Sequence, residues 1–165
     1  AKGVDMSTGS LGQGLSCGLG MALAAKRDHA PFRTFVLIGD GESQEGQIWE
    51  AALYGGSLGV QGIIAIIDNN GVQLASSTED AVGLGDVGTK WRSFGWNVID
   101  VDGHNMASLV TALSCARELS AQGPVAVVAK TVKGKGVSFM EGRFEWHGKA
   151  PNETEFKQAI AEIYQ

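Results

Sequence analysis

Apolar residues recur along this chain in two different patterns, and the two patterns alternate. Short apolar runs rich in β-branched residues predict strands at residues 33–38, 63–67, 96–101 and 125–131. Apolar positions three or four residues apart predict helices at 7–28, 42–53, 90–94, 106–119 and 152–164. The first strand run carries apolar side chains on both of its faces, which is typical of a central parallel strand buried on both faces. Strands separated by helices predict an α/β fold, a parallel sheet with helices on both faces.

The less regular segments give further predictions. Residues 73–89 are rich in Ser, Thr, Asp and Gly and predict a loop. Asn152 and Glu155 form a capping-box pattern ahead of an apolar stripe that contains Phe156 and Ile160, which predicts a closing helix. Because no repeat or linker interrupts the chain, we expect residues 1–165 to form a single domain.

Polar signatures follow the first two predicted strands. Asp40 stands between Gly39 and Gly41 after the first strand, and Asn70 follows the second. Parallel strands end at one edge of a sheet, so we expect Asp40 and Asn70 to lie side by side. Carboxylate and carboxamide oxygens suit a hard cation that keeps phosphate oxygens and water as its other ligands. The flanking glycines would let backbone N–H groups approach an anion, and the pattern predicts a site for Mg²⁺ and a diphosphate.

The same residues also resemble the transketolase family of thiamine diphosphate enzymes. The resemblance is carried by Gly-Asp-Gly-Glu-Ser-Gln-Glu-Gly-Gln-Ile-Trp-Glu-Ala at 39–51 and, in the family's order around it, by the motifs at 8–14, 95–99, 102–104, 130–137 and 146–148. The motifs extend almost from end to end and look most like the amino-terminal subunit of split transketolases. Family members carry a long segment before the first motif, so the sequence looks truncated at its amino end.

This resemblance implies thiamine diphosphate and Mg²⁺ as cofactors. It implies that Asp40, Asn70 and the main-chain carbonyl of Val72 hold the metal ion. The implied cofactor-binding residues are Gly9, Leu11, Gly39, Asp40, Gly41, Asn70 and His147. Two residues are implied to be catalytic. Glu45 matches a glutamate in a carboxylate network between paired active sites, a setting suited to relaying a proton, and His147 matches a histidine near the reacting carbon.

Several nearby residues have simpler interpretations. Glu42 is explained by the dipole of the helix that begins there. Asp68 and Asn69 are ordinary turn formers, and His104 at a strand end is typical of a hydrogen-bonded structural histidine. The basic loop 133–136 either attracts phosphate or is simply solvated.

The implied activity is transfer of a two-carbon ketol unit between sugar phosphates. In this family the glutamate that activates the aminopyrimidine belongs to a pyrimidine-side, carboxyl-terminal domain or subunit, which this sequence lacks. We therefore expect an inactive chain that needs such a partner, within a homodimer or heterotetramer. The alternatives are another thiamine diphosphate enzyme (phosphoketolase, deoxyxylulose-phosphate synthase or the α chain of a ketoacid dehydrogenase) and a non-catalytic assembly module. A nucleotide-binding module is disfavoured because Walker-type and dinucleotide-binding motifs are absent.

Composition excludes some other classes. With 44% hydrophobic and 19% charged residues the chain is typical of a globular protein, and its 24 glycines indicate close backbone packing. A net charge of −5 disfavours nucleic acid and anionic membranes as partners. Cys17 and Cys115 lack a Cys-x-x-Cys spacing and predict two free, buried thiols in a reducing compartment. No membrane-spanning run or signal-peptide pattern is present, so we expect a cytoplasmic protein.

Overall fold

The computed structural model describes residues 2–164 and contains a four-stranded parallel sheet. Its helices and strands are α1 (Gln13–Arg27), β1 (Thr34–Gly39), α2 (Gly46–Ser57), β2 (Ile63–Asn69), α3 (Thr78–Val82), α4 (Val87–Ser93), β3 (Asn97–Asp102), α5 (Met106–Leu119), β4 (Val125–Lys130) and α6 (Glu153–Ile163). The strand order is β1-β2-β4-β3, which makes β2 and β4 the central strands. The predicted parallel α/β fold is confirmed.

Alternate residues of the strands pack into two separate cores. On one face, side chains such as Ile38 and Ile67 are buried against α1, α2 and α4. On the opposite face, Ile64 and Val127 pack against Ala116 of α5. Helices therefore cover both faces of the sheet, as the alternation of the two hydrophobic patterns predicts.

Helix α1 lies unusually close to the sheet because Gly18 faces β1. A Cβ atom on Gly18 would stand 2.4 Å from Cγ2 of Val36, a distance that real side chains do not tolerate. A larger residue would push α1 away from the strand. Part of the glycine content of the chain thus serves helix-on-sheet packing, which also brings the start of α1 near the end of β1.

The prediction that the first strand is buried on both faces is wrong. Strand β1 lies at an edge of the sheet, and its side chains Phe35 and Leu37 are 49% and 73% exposed. The cause is the placement of α5, which packs on β3 and β4 and leaves this face of β1 uncovered. An apolar run indicates a strand but does not reveal whether a helix covers each of its faces.

Residues 73–89 are also more ordered than predicted. Ser77 begins α3 by accepting a hydrogen bond from the backbone N–H of Asp80, and Asp86 begins α4 by accepting one from Thr89. The polar residues that predicted a loop are therefore partly helix N-caps. The capping box of Asn152 at the start of α6 is present as expected.

The prediction that Cys17 and Cys115 are buried is wrong. Cys17 and Cys115 are free, as expected, but Cys17 is only half-buried and Cys115 is exposed, because it lies on the solvent side of α5. The apolar stripe of α6 is exposed as well, with Phe156 54% and Ile163 56% accessible. Between residues 2 and 164, no helix has both the length and the apolar character needed to cross a bilayer.

Candidate functional site

The ends of β1 and β2 bring Asp40 and Asn70 together. Gly39 pairs with Asp68 in the parallel register, and the backbone N–H of Asp40 donates to the carbonyl of Asp68 at 3.1 Å. The Asp40 carboxylate accepts from the N–H of Gly41 at 2.7 Å and from the N–H of Gly71 at 2.5 Å. Asp40 is thereby fixed against the backbone that follows Asn70, as the parallel arrangement of the strands predicts.

Asp40 is buried, with 2% of its surface exposed. Burial raises the pKa of this carboxyl, the hydrogen bonds from Gly71 and Gly41 oppose that effect, and the neighbouring charge of Asp68 adds to it. Within residues 2–164 no Lys or Arg forms an ion pair with Asp40. A buried carboxylate without a cationic partner is costly, and a bound cation would remove that cost.

The other two predicted ligands belong to the turn after β2. Oδ1 of Asn70 accepts from the N–H of Val72 at 2.9 Å, and Nδ2 of Asn70 donates to Oδ2 of Asp68 at 3.2 Å. Val72 forms an isolated β-bridge with Ser77, which closes the turn. An amide oxygen carries two lone pairs, so Oδ1 of Asn70 keeps one for a cation. We call Asp40, Asn70 and Val72 the clamp.

The donor set of the clamp fits Mg²⁺. A carboxylate, an amide oxygen and a main-chain carbonyl are hard oxygen ligands, and three of them leave room for diphosphate oxygens and water. In the part of the chain that the structure describes, no group of three or more His, Cys, Asp or Glu side chains converges on a metal position. A cation held by the clamp would therefore depend on ligands from the bound molecule.

The glycines beside Asp40 do not present free N–H groups to an anion, contrary to expectation. The N–H of Gly41 donates to Asp40, and the N–H of Gly39 donates to Oε2 of Glu42 at 3.2 Å. Both donors are already satisfied by carboxylates of the chain itself. Any contact of Gly39 and Gly41 with a cofactor would have to come from the close approach of their backbone.

Glu42 does more than complement a helix terminus. Besides Gly39, its carboxylate accepts from the N–H of Gly12 at 2.9 Å, which joins the turn before α1 to the end of β1. No local pattern could indicate this contact, because the partner lies thirty positions away in the sequence. The helix dipole therefore accounts for only part of the role of Glu42.

Gly9, Leu11 and Glu45 lie at the surface near this junction. Gly9 and Leu11 are exposed in the turn that leads to Gly12. Glu45 is exposed at the start of α2, and a Cβ atom on Gly12 would stand 3.0 Å from Cβ of Glu45. The contact of Glu42 with Gly12 thus joins the turn that contains Leu11 to the end of β1, which Asp40 follows.

His147 lies in a different part of the chain, after β4. It is exposed, and its Nδ1 lies 3.3 Å from Nζ of Lys133. Lys135 forms a 3.2 Å ion pair with Glu141, so one cation of the basic loop is partly neutralised. We call residues 133–148 the arm. Across residues 2–164, no hydrogen bond joins His147 to Asp40 or Asn70.

His104 has the structural role that the sequence predicts. Its Nε2 accepts from the backbone N–H of Val132 at 2.7 Å, and the backbone N–H of His104 donates to Oδ1 of Asp102 at 2.9 Å. The prediction that Asp68 and Asn69 are turn residues is wrong, since both belong to β2. Asp68 instead receives side-chain hydrogen bonds from Asn70 and Thr131.

The comparisons with known proteins agree with this fold. The family model described as "Transketolase, thiamine diphosphate binding domain" matches residues 1–163. The chain is 46% identical over 162 residues to the 6-deoxy-6-sulfo-D-fructose transketolase subunit SqwG of Clostridium sp. (strain MSTE9). It is 39% identical over 161 residues to a subunit of the apulose-4-phosphate transketolase of Phocaeicola vulgatus. The chain belongs to the family of transketolase thiamine diphosphate binding domains.

Coverage shows how the chain relates to these proteins. Each alignment includes 98% of this chain, and it spans 58% of the Clostridium protein and 57% of the Phocaeicola protein. Among solved structures, transketolase from Campylobacter jejuni superposes with a TM-score of 0.89 at 29% identity, over 98% of this chain and 26% of that one. The chain therefore spans little more than half the length of the split-type relatives.

Proposed function

We propose that this chain binds the diphosphate end of thiamine diphosphate through Mg²⁺. It would serve as the amino-terminal half of an enzyme that transfers a two-carbon ketol unit between sugar phosphates. The observation that carries the proposal is the buried Asp40 carboxylate beside Asn70, which no cationic side chain among residues 2–164 neutralises. Membership of the thiamine diphosphate binding family supports the cofactor, and the names of both relatives support the reaction.

In this proposal the residues of the chain bind and orient. Asp40, Oδ1 of Asn70 and the carbonyl of Val72 hold Mg²⁺, which neutralises the buried carboxylate and attracts the diphosphate. Leu11 and the backbone at Gly9 line the cofactor beside the clamp. When bound, thiamine diphosphate supplies a nucleophilic carbon and an electron sink for the two-carbon unit. His147 moves a proton at the substrate, and Glu45 relays one toward a second active site.

The proposal includes a partner that completes the site. Both relatives are named as subunits, which implies that each works with another chain. The partner that we propose here is a pyrimidine-side, carboxyl-terminal transketolase subunit, in a dimeric or heterotetrameric assembly with sugar phosphates as substrates. The exposed positions of Leu11 and Glu45 suit such a contact. The cytoplasmic location stays a prediction from the sequence.

A thermal-shift experiment tests the binding half of the proposal. The purified chain is heated with Mg²⁺ plus thiamine diphosphate, with each alone, and with NAD or ATP as controls. Both ligands together, at about a hundred times the dissociation constant, should add about 2.7 kcal/mol of stability. Asp40→Ala should lose that gain, whereas Asp28→Ala, at an exposed carboxylate, should keep it. Equal shifts in the two variants would contradict the clamp.

A mixing experiment tests the catalytic half. We expect no ketol transfer by the purified chain and substantial transfer once a pyrimidine-side subunit is added. The Asp40→Ala variant should remain inactive in the same mixture. Transfer by the chain alone would contradict the need for a partner, and a stable but inactive complex with bound cofactor would favour an assembly role.

A further inference from the structure

The amide of Asn70 serves a cation in only one of its two orientations. With Oδ1 toward the metal position it offers a lone pair, and after a flip it would offer N–H donors that repel a cation. In the structure Oδ1 accepts from Val72 and Nδ2 donates to Asp68. A flip would set two donors against each other at Val72 and two acceptors against each other at Asp68. Asp68 therefore shares control of the Asn70 orientation.

Asp68 is itself held firmly. It lies near the end of the central strand β2, where its carbonyl accepts from the N–H of Asp40 on one side. On the other side it pairs in register with Ala129 of β4. Its second carboxylate oxygen, Oδ1, accepts from the hydroxyl of Thr131, the first residue after β4. Each carboxylate oxygen of Asp68 thus has one side-chain donor, Asn70 for Oδ2 and Thr131 for Oδ1.

The side chain of Thr131 is oriented by its other neighbour. A Cβ atom on Gly103, at the end of β3, would stand 2.4 Å from Cγ2 of Thr131 and 3.0 Å from the carbonyl oxygen of Lys130. The methyl group of Thr131 occupies the space that Gly103 leaves open, and its hydroxyl faces Asp68. The backbone N–H of Thr131 also donates to Asn69 at 3.2 Å.

We infer that Thr131 and Asp68 are positioning residues for the clamp. The Thr131 hydroxyl orients the Asp68 carboxylate, and the carboxylate holds the Asn70 amide with its oxygen free for the cation. Gly103 provides the room that this arrangement needs. Neither Thr131 nor Asp68 contacts the cation. The inference rests on the proposed function for the identity of the ligand, while the hydrogen-bond chain is a feature of the protein alone.

The expected effect follows from how metal ligands are usually supported. Residues that orient a ligand without touching the metal typically change metal affinity about 10- to 100-fold when they are removed. Asp68 also brings a negative charge near Asp40, which attracts a cation whatever the Asn70 orientation. The test must therefore separate orientation from charge.

Two pairs of variants make that separation. Thr131→Val removes the hydroxyl without changing shape or charge, and Thr131→Ser keeps the hydroxyl. Asp68→Asn removes the charge but keeps an acceptor for Asn70, and Asp68→Ala removes both. In a Mg²⁺ titration at fixed thiamine diphosphate, Thr131→Val should require about 10- to 100-fold more Mg²⁺ for half-saturation. The Mg²⁺ concentration for half-saturation of Thr131→Ser should stay near that of the unsubstituted chain. Asp68→Ala should bind Mg²⁺ more weakly than Asp68→Asn. Equal Mg²⁺ requirements for Thr131→Val and Thr131→Ser would overturn the inference.

A second measurement does not depend on any ligand. In the metal-free chain labelled with ¹⁵N, the side-chain amide signal of Asn70 should shift and exchange faster with water in Thr131→Val, but not in Thr131→Ser. An unchanged signal in Thr131→Val would overturn the inference even if Mg²⁺ binds well. If the unsubstituted chain shows no Mg²⁺-dependent cofactor binding, the proposed function fails, and this amide signal still decides the positioning role.

Discussion

The clamp and the arm follow neighbouring parts of the same sheet edge, but they are built in different ways. In the clamp, Asp40 directly follows β1, is 2% exposed and takes both of its hydrogen bonds from backbone N–H groups. In the arm, His147 is exposed, and its side chain lies beside the ammonium group of Lys133. The side chain of a lysine is long and flexible. The end of a strand places Asp40, whereas His147 follows a short 3₁₀ turn.

The arm has a small structure of its own. Nε1 of Trp146 donates to the carbonyl of Phe139 at 2.9 Å, and the two rings lie 5.2 Å apart. Lys149 lies 4.1 Å from the centre of a Trp146 ring. These contacts pack the turn before His147 against the ring of Phe139. In the proposed function, this contrast assigns cofactor binding to the clamp and makes the chemistry of the arm depend on the assembled enzyme.

The largest expected effect tests that division directly. His147→Gln should lower ketol transfer by the assembled enzyme about 100-fold, the usual effect of losing a positioned proton-transfer group. The thermal shift that Mg²⁺ plus thiamine diphosphate give to the chain alone should fall only slightly. The variant is compared in both assays with the unsubstituted chain. If the thermal shift were lost and transfer retained, the arm would be a cofactor-binding element and the division would be wrong.

A pair of glycine substitutions compares the two regions in stability. Gly103→Ala introduces a Cβ atom 2.4 Å from Thr131 and should lower the free energy of unfolding by about 2 kcal/mol. Gly148 in the arm has open space around it, and Gly148→Ala should change that free energy by less than about 0.5 kcal/mol. Urea unfolding monitored by tryptophan fluorescence gives both values. Similar values for the two variants would show that the sheet edge is not more tightly packed than the arm.

The difference between the regions also explains what the sequence could predict. The sequence predicts the pairing of Asp40 with Asn70 because each lies shortly after a β-branched run, and parallel strands end at a common edge. The contact of Thr131 with Asp68 is not predictable in this way, because it joins residues 63 positions apart and depends on β4 lying beside β2. Strand order is a property of the whole sheet, and no local pattern reveals it.

Burial was predicted less well for a similar reason. Leu37 belongs to an apolar run, yet its exposure depends on whether α5 extends as far as β1, which the run itself does not encode. Ser77 and Asp86 are residue types that are common both in loops and at helix N-caps, so they do not reveal the short helix α3 or the start of α4. The roles of Glu45 and His147 rest on resemblance to the family and stay predictions.

A smaller effect is expected from neutralising one carboxylate in each region. Glu42→Gln leaves one of two backbone N–H groups, at Gly12 or Gly39, without an acceptor and gives the other a neutral one, which should lower stability by about 1 kcal/mol. Glu141→Gln in the arm removes an exposed ion pair with Lys135 and should leave stability nearly unchanged. Thermal unfolding at moderate salt measures both. A larger loss for Glu141→Gln would mean that the arm is held as firmly as the clamp.

The smallest effect is a pH dependence that should have opposite signs in the two regions. Burial raises the pKa of Asp40 in the folded chain. In the window between the ordinary pKa of an aspartate and this raised pKa, the folded chain keeps a proton that the unfolded chain has released. The stability due to Asp40 is therefore complete below that window and falls as pH rises through it. A hydrogen bond from Gly136 and the nearby Lys135 hold the pKa of Glu141 below its ordinary value, so its contribution is lost as pH falls.

Difference curves separate these two slopes. For each variant, the free energy of unfolding of the variant is subtracted from that of the unsubstituted, metal-free chain. From acid toward neutral pH, this difference should decrease for Asp40→Asn. Over the same range it should increase for Glu141→Gln. Because a cation binds the ionised carboxylate, Mg²⁺ should stabilise the unsubstituted chain more as pH rises through the Asp40 window. This gain should be absent in Asp40→Asn and preserved in Glu141→Gln. If the two difference curves had slopes of the same sign, the buried carboxylate that binds the cation would not be Asp40. The pKa of an exposed carboxylate with hydrogen-bond donors is lowered, and its difference curve therefore rises with pH.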